Sequence, residues 1–284
     1  HKNKARGYFY QVKTNTNFKC HNCGASLSFN NFLKQIDTTL HKQYTLEKFK
    51  DGFTGKGFVV EEPKFEFKKP TFKKDLDLPK ASEVPVAKEY LEKRKLDPTQ
   101  FYFTPKFMEW VNTQKQTFDT IRRDESRIII PMYDTERNLI GFQGRSLGPN
   151  SVKYITVMLQ ENAPKIYGLD KINPDKTVYV VEGPFDSTFV KNSVALCGSD
   201  GDMAHLKGSD IVFVYDNEPR NKEILQRIER CIDRGERVII WPRSIEDKDI
   251  NDMVLSGHDV MSILESNIYS NLEAKVKFNN WKKV

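Results

Sequence analysis

Val178-Tyr-Val-Val-Glu-Gly-Pro-Phe-Asp186 decides how this chain is read. Val178, Tyr179, Val180 and Val181 form a short buried strand. Gly183 permits a tight turn, and Pro184 suits the first position of a helix. Glu182 therefore ends the strand, and Asp186 lies one helical turn later, so both can face one point. The pattern recurs downstream. Further short apolar runs lie at 194–197, 211–215 and 238–241, with helical stretches from 184, over about 221–234 and over about 250–256. Short β-branched runs alternating with helices predict an α/β unit, a parallel sheet with helices on both faces.

In such a sheet functional groups collect beyond the carboxyl ends of the strands. Asp216 and Glu218 directly follow the third run, and Asp247, Asp249 and Asp252 follow the fourth after a short loop. Three strands thus deliver carboxylates to one edge. Clustered carboxylates repel one another unless a cation neutralises them. Hard oxygen donors with no His or Cys beside them suit Mg²⁺ or Mn²⁺ rather than zinc. Such ions bind phosphate oxygens and activate a hydroxyl for in-line attack. Asp and Glu also cap helix N-termini, which accounts for any one of these residues. It accounts less well for acidic residues on all three loops.

Upstream, Ser82 reads as a helix N-cap with Pro85 in the first turn, followed by Ala87, Tyr90, Leu91 and Arg94 at helical spacing. A second helix is expected over about 105–119, then strands at 127–133 and 139–143 around a turn at 136–138. The segment 61–80 carries Pro63, Pro70 and Pro79 among Lys64, Lys68, Lys69, Lys73, Lys74 and Lys80. That density opposes helix and sheet and favours an extended tether. Ahead of it, aromatic-bearing segments at 7–12 and 27–33 flank Cys20-His-Asn-Cys23-Gly24 and predict a small β-rich unit followed by a short helix.

The 284 residues carry 45 Lys and Arg against 39 Asp and Glu, a formal charge of +6, but the charge is uneven. Residues 1–80 hold 16 basic and 8 acidic side chains, and the remainder holds 29 and 31. A basic arm on a near-neutral body favours a polyanionic partner through phosphate contacts and counterion release, although a Lys-rich face also serves solubility. No stretch reaches ~18 consecutive apolar residues, so a spanning helix is excluded. Aromatics at 12% argue against wholesale disorder, and four cysteines are too few for a disulfide scaffold. The chain begins at His1 with no initiator Met and no charged-then-apolar leader, as expected of a fragment or processed chain without a secretory signal.

Glu182-Gly-Pro-Phe-Asp186, Asp216-Asn-Glu218 and Lys248-Asp249-Ile-Asn-Asp252, with 34 and 33 residues between Glu182, Asp216 and Asp249, resemble the TOPRIM domain of primases and of type IA and II topoisomerases. The general TOPRIM pattern has Asp-x-Asp at the second site, where this sequence has Glu218. Ile130-Pro-Met-Tyr-Asp134, Gly141-Phe-Gln-Gly-Arg145, Lys153-Tyr154 and Lys165-Ile-Tyr-Gly-Leu169 resemble the basic subdomain preceding TOPRIM in DnaG-type primases. With Asp216-Asn-Glu-Pro-Arg-Asn221, nearly all of residues 4–284 is similar to the primases of T-even-like tailed phages.

The resemblance implies a TOPRIM-type parallel sheet flanked by helices, preceded by an α+β basic subdomain and a partial zinc-ribbon module. The implied division is a zinc-ribbon part at 1–55, a Pro/Lys linker at 56–82, the basic subdomain at 83–172, the metal-binding domain at 173–258 and a helical tail at 259–284. The implied activity is synthesis of short RNA primers from NTPs on single-stranded DNA, for lagging-strand replication in the host cytoplasm, beside a ring-shaped replicative helicase and away from membranes. Glu182, Asp186, Asp216 and Asp249, with Glu218 in support, would hold two Mg²⁺ or Mn²⁺ ions, and Asp252 or Asn251 would complete the shell. Glu182 and Asp216 would be catalytic, and Arg145, Lys153 and Lys165 would clamp triphosphate or template. From the residues alone, Arg145 and Lys153 read more readily as exposed turn residues. An Arg after Gly144 nevertheless suits close approach to phosphate, which a guanidinium grips in two places.

Cys20-x-x-Cys23-Gly24 reads as one knuckle of a zinc ribbon, supplying two of the four ligands of a closed site. No second Cys-x-x-Cys follows; Cys197 and Cys231 read as buried small hydrophobes, and His21 points poorly from inside the knuckle. The resemblance places a first pair upstream of Lys4-Ala-Arg-Gly7, so Zn²⁺ is expected in the full-length protein, with the site incomplete here. In the family this module reads the template. Lys4, Arg6 and Tyr8, together with Arg145, Lys153 and Tyr154, are the implied nucleic-acid contacts. Tyr8, Phe9 and Tyr10 either stack on bases or pack the ribbon's core. Two other readings stand beside primase. One is a TOPRIM nuclease, which usually sits beside an ATPase, although no Gly-x-x-x-x-Gly-Lys-Ser/Thr is present. The other is a non-catalytic, single-stranded-DNA-binding helicase adaptor. A topoisomerase would need a Tyr nucleophile on a separate large domain.

Overall fold

The computed structural model describes residues 6–12, 15–21, 23–50, 76–121, 123–148, 152–198 and 203–283. The chain divides into two units, His1–Lys69 and Pro70–Val284.

In the first unit β1 (Gly7–Val12), β2 (Asn15–Cys20) and β3 (Ser26–Ser28) form an antiparallel sheet with Phe9 opposite Phe18 and Phe18 opposite Leu27. Helices α1 (Phe29–Ile36) and α2 (Thr38–Lys50) follow. Ser28 caps α1 through the Asn31 N–H, and Asp37 Oδ1 accepts the Thr39 and Leu40 N–H groups to start α2. An aromatic cluster binds helix to sheet: Phe18 and Phe32 lie 4.5 Å apart, Phe9 and Phe32 4.9 Å, and Phe9 and Phe29 5.6 Å. Gly7 makes room for it, because a Cβ there would come within 2.7 Å of the Phe18 ring.

The second unit contains two sheets. The first runs in the order β4 (Tyr102–Thr104), β5 (Arg127–Tyr133), β6 (Leu139–Ser146), β7 (Tyr154–Met158), antiparallel throughout. Alternation along β5 sends Ile128, Ile130 and Met132 to one core and Ile129 to another, the latter shared with Phe142, Val157, Phe107 and Val111. Before this sheet, α3 spans Pro85–Glu92. Ser82 is not its cap. It lies in a 3-10 turn at Ala81–Glu83, and Val84 occupies the cap position because Pro85 takes the first helical turn. The helix expected over 105–119 is α4, Phe107–Gln114. Asp124 starts it by accepting the Met108 and Glu109 N–H groups, and Asn112 Oδ1 stops it by accepting those of Thr117 and Phe118.

The second sheet contains β8 (Ile166–Tyr167), β9 (Val178–Val181), β10 (Ser193–Leu196), β11 (Ile211–Val214), β12 (Arg237–Ile239) and β13 (Ile268–Tyr269), in the order β13-β12-β11-β9-β10-β8. The inner strands β12, β11, β9 and β10 are parallel, as expected, but both outer strands run antiparallel. Each outer strand is only two residues long, too short for hydrophobic periodicity to announce it. The connecting helices are α5 (Pro184–Ser187), α6 (Lys222–Asp233), α7 (Ile250–Leu255), α8 (Val260–Ser266) and α9 (Asn271–Trp281). The tail is thus two helices flanking β13. Ala274, Phe278 and Trp281 form the buried stripe of α9 at helical spacing. Cys197 and Cys231 are buried, as read.

Candidate metal and nucleotide site

Glu182 follows β9 directly, and Asp186 lies in the first turn of α5. Gly183 has an ordinary extended backbone (φ −119°), so the turn does not require glycine. Space does: a Cβ there would lie 2.8 Å from Asp186 Oδ2. Asp186 Oδ1 accepts the Asn251 backbone N–H at 3.0 Å, which ties the first acidic loop to the third. Glu182 Oε1 is buried without a hydrogen-bond partner and faces Arg227 Nη1 at 3.6 Å.

The second acidic loop follows β11, and two indoles brace it. Trp241 Nε1 donates to Tyr215 O at 2.8 Å, and Trp281 Nε1 donates to Asn217 Oδ1 at 3.0 Å, one on either side of Asp216. Glu218 pairs with Lys248 Nζ at 3.2 Å and accepts from Asn221 Nδ2 at 3.0 Å. In the third loop Asp249 caps α7 through the Asp252 N–H at 2.8 Å, so the ordinary capping role is real for this residue. Asp247 turns instead to Ser256 Oγ at 2.6 Å and His258 Nε2 at 3.1 Å.

The four carboxylates share one electrostatic field. Burial pushes Glu182 up to about 7, with Asp216 adding to the rise and Arg227 opposing it. Asp186 is likewise pushed up to about 7 by burial and then by Asp249 and Asp216. Asp216 rises to about 6, by burial and then Asp249. Charges on the second and third loops thus add to burial in raising the affinity of Glu182, Asp186 and Asp216 for positive charge. The donor set is all oxygen, one buried Glu182 oxygen accepts no hydrogen bond, and Gly183 leaves space beside Asp186; these features fit a divalent cation. Among the described residues, no three His, Cys, Asp or Glu side chains already stand in an arrangement that could hold an ion. Asp249 and Glu218 have protein partners, and Glu182 leans toward Arg227.

Lys153 acts on both Asp186 and Asp216. Arg145 is not an exposed turn residue: it lies buried within β6, donates Nε–H to the Tyr90 hydroxyl at 3.0 Å and stacks over Tyr154, whose ring centre is 4.7 Å away. Gly144 serves packing rather than phosphate approach, since a Cβ there would meet the Phe107 ring at 2.4 Å. Lys165 is exposed, and its carbonyl accepts the Cys197 N–H at the end of β10. A cleft of about 280 Å³ at this edge is lined by Glu182, Leu196, Gly198, Tyr215 and Arg227. A larger cavity, about 670 Å³, lies at the β4 margin among Lys80, Tyr102, Tyr133, Arg137, Asp170 and Lys171, and none of Glu182, Asp186, Asp216 and Asp249 lines it.

In the first unit Cys20 ends β2, and the Gly24 N–H returns to its carbonyl at 3.0 Å, with Gly24 at φ +74°. His21 stacks on Tyr8 at 5.1 Å. Tyr8 and Tyr10 share one face of β1, and Phe9 points to the aromatic cluster. Arg6 is exposed, and Lys4 lies outside the described residues. The sequence reading missed Arg227, Trp241, Trp281 and the contact of Arg94 with Asn251, all joined to the site across long stretches of chain.

No family model matches the chain. The DNA primase of Enterobacteria phage T4 is 32% identical over 299 residues, covering 99% of this chain and 86% of that protein. The chain belongs to the DNA primase family. This primase is therefore an enzyme that makes RNA primers on single-stranded DNA. Solved structures agree on the fold. The Escherichia coli primase catalytic core superposes with a TM-score of 0.53 at 20% identity, covering 72% of this primase and 80% of that chain. The zinc-binding and RNA polymerase domains of Aquifex aeolicus primase give 0.51 at 18% identity, covering 98% and 86%. Among the described residues, no helix is long and apolar enough to cross a membrane.

Proposed function

We propose that this primase joins nucleotides at the carboxylate edge of its six-stranded sheet, a TOPRIM-type site in which Glu182, Asp186, Asp216 and Asp249, with Glu218 in support, hold Mg²⁺ or Mn²⁺. One observation carries this reading: carboxylates from three separate loops meet at one edge, where burial and then the charges of Asp216 and Asp249 raise the proton affinity of Glu182, Asp186 and Asp216. Bound ions would neutralise phosphate oxygens and activate the primer 3′-hydroxyl. Lys153, whose charge reaches Asp186 and Asp216, meets the triphosphate. Arg145, fixed by Tyr90 and Tyr154, offers a guanidinium that loses little freedom on binding phosphate. Lys165 adds an exposed point charge, and Tyr154 completes the template-facing group. Asp252 or Asn251 fills out the ion's surroundings.

Residues 1–55 form the zinc-ribbon part, with Cys20 and Cys23 as half of a Zn²⁺ site and Lys4, Arg6 and Tyr8 as template contacts. The remaining parts are a linker at 56–82, whose last residues, with Leu76 and Ala81 buried, pack into the second unit, a basic subdomain at 83–172, the metal-binding domain at 173–258 and a tail at 259–284 whose helices flank β13. The enzyme uses NTPs beside a ring-shaped helicase in the host cytoplasm.

The test is primer synthesis on single-stranded DNA with Mg²⁺ by Glu182→Gln and Asp216→Asn. Each removes a charged ligand at nearly constant shape, so synthesis is lost while cooperative melting persists. Normal synthesis by either variant overturns the site. DNA cleavage by the unaltered protein would mark a nuclease, and binding without synthesis an adaptor.

A further inference from the structure

The Asn217 side chain joins three parts of the molecule. Its Nδ2 donates to Ile245 O at 3.0 Å and Asp247 O at 2.9 Å, and its Oδ1 accepts from Trp281 Nε1 at 3.0 Å. Its backbone N–H reaches Lys248 O at 2.7 Å. Asn217 stands between Asp216 and Glu218, the two carbonyls belong to the loop leading to Asp249, and Trp281 ends α9. An indole N–H only donates, so it must face the amide oxygen, and this turns the amide's two N–H bonds toward the other loop. The last turn of α9 is fixed in its turn: Lys283 N–H donates to Pro219 O at 2.9 Å, and Arg243 Nη2 donates to Asn280 O at 2.6 Å.

We infer that Trp281 is a positioning residue, which sets the separation of the Asp216 and Asp249 loops through Asn217 and thereby couples α9 to the affinity of the acidic edge for divalent cations. This rests on the metal-site reading above. Displacing α9 removes one of the three bonds that orient the Asn217 amide and so loosens the brace between the two loops. The coupling is reciprocal: ion binding at the carboxylates alters the environment of the Trp281 N–H.

The experiment is Mn²⁺ titration of the whole chain by electron paramagnetic resonance, with Trp281→Phe, which keeps an aromatic ring and removes the donor. Loss of one net hydrogen bond predicts binding weaker by roughly 2- to 12-fold in a variant that still melts cooperatively. Indole N–H resonances in the unaltered protein supply a second readout that needs no folded variant. On adding Mg²⁺ the Trp281 resonance shifts, and that of Trp110, packed against Phe142 in the other sheet, stays in place. Unchanged Mn²⁺ affinity in Trp281→Phe, or a Trp281 resonance indifferent to Mg²⁺, overturns the inference. Absence of saturable Mn²⁺ binding by the unaltered protein removes the metal site itself and the inference with it.

Discussion

Arg94 and Asn251 hold each other reciprocally across 157 residues: Arg94 Nη1 donates to Asn251 Oδ1 at 2.9 Å, and Asn251 Nδ2 donates to Arg94 O at 2.8 Å. Asn251 is buried, and its backbone N–H holds Asp186. The segment just after α3, ahead of the four-stranded sheet, is thereby fastened to an acidic loop of the other sheet. Removing Arg94 leaves a buried amide oxygen without its charged donor, at a cost of about 1.5–3 kcal/mol. Arg94→Ala and Asn251→Ala should each lower stability in urea, and the double variant should lose less than their sum. Strict additivity would show that the pair does not act as a unit.

Proton linkage at the acidic edge has a defined sign. Glu182, Asp186 and Asp216 ionise near 4 in the unfolded chain but at about 7, 7 and 6 when folded. Between about pH 4 and pH 7 the folded protein therefore holds protons that the unfolded chain has released, and stability falls as pH rises through that window. The metal-free protein should melt at a higher temperature at pH 6 than at pH 8. Mg²⁺ or Mn²⁺ should raise the melting temperature more at pH 8, where the carboxylates are ionised. A metal response equal at both pH values would contradict this account.

The two glycines of the site region predict different failures. In Gly144→Ala the new methyl enters the Phe107 ring, and the core must shift, costing about 1–3 kcal/mol. In Gly183→Ala it meets only the carboxylate of Asp186. That variant should keep most of its stability and lose Mn²⁺ affinity, as titration and melting together would reveal. Matching stability losses in the two variants would refute the distinction.

On β1 neighbouring aromatics should separate by role. Tyr8→Ala should weaken single-stranded DNA binding by about 1–3 kcal/mol per base stacked and leave the fold intact. Phe9→Ala removes the ring that touches Phe18, Phe29 and Phe32, and should loosen the small unit itself. Fluorescence anisotropy and circular dichroism of the two variants distinguish these outcomes.

The strand ends leading to Glu182, Asp216 and, after a loop, Asp249 were legible because a buried parallel strand must be a short apolar run, and its carboxyl end is where the chain next meets solvent. The extent of α6, expected over about 221–234 and found at Lys222–Asp233, was legible for a similarly local reason. Trp241, Trp281 and Arg94 were not, since each reaches the site from a distant part of the chain and no periodicity encodes such a partner. The alternative of an exposed turn at Arg145 fails because β6 runs to Ser146, beyond the strand end expected at 143, and Tyr90 and Tyr154 shelter it there. Gly183 and Gly144 carried a visible signal whose cause was steric, which a sequence does not distinguish from turn geometry.

The margins of the six-stranded sheet, β8 and β13, have a consequence for solubility. A foreign polypeptide that tried to extend the sheet would find only two residues to pair with on either side before the backbone turned away. So brief a ledge cannot seed cross-chain ladders, and the apolar runs between the margins stay out of reach of aggregation.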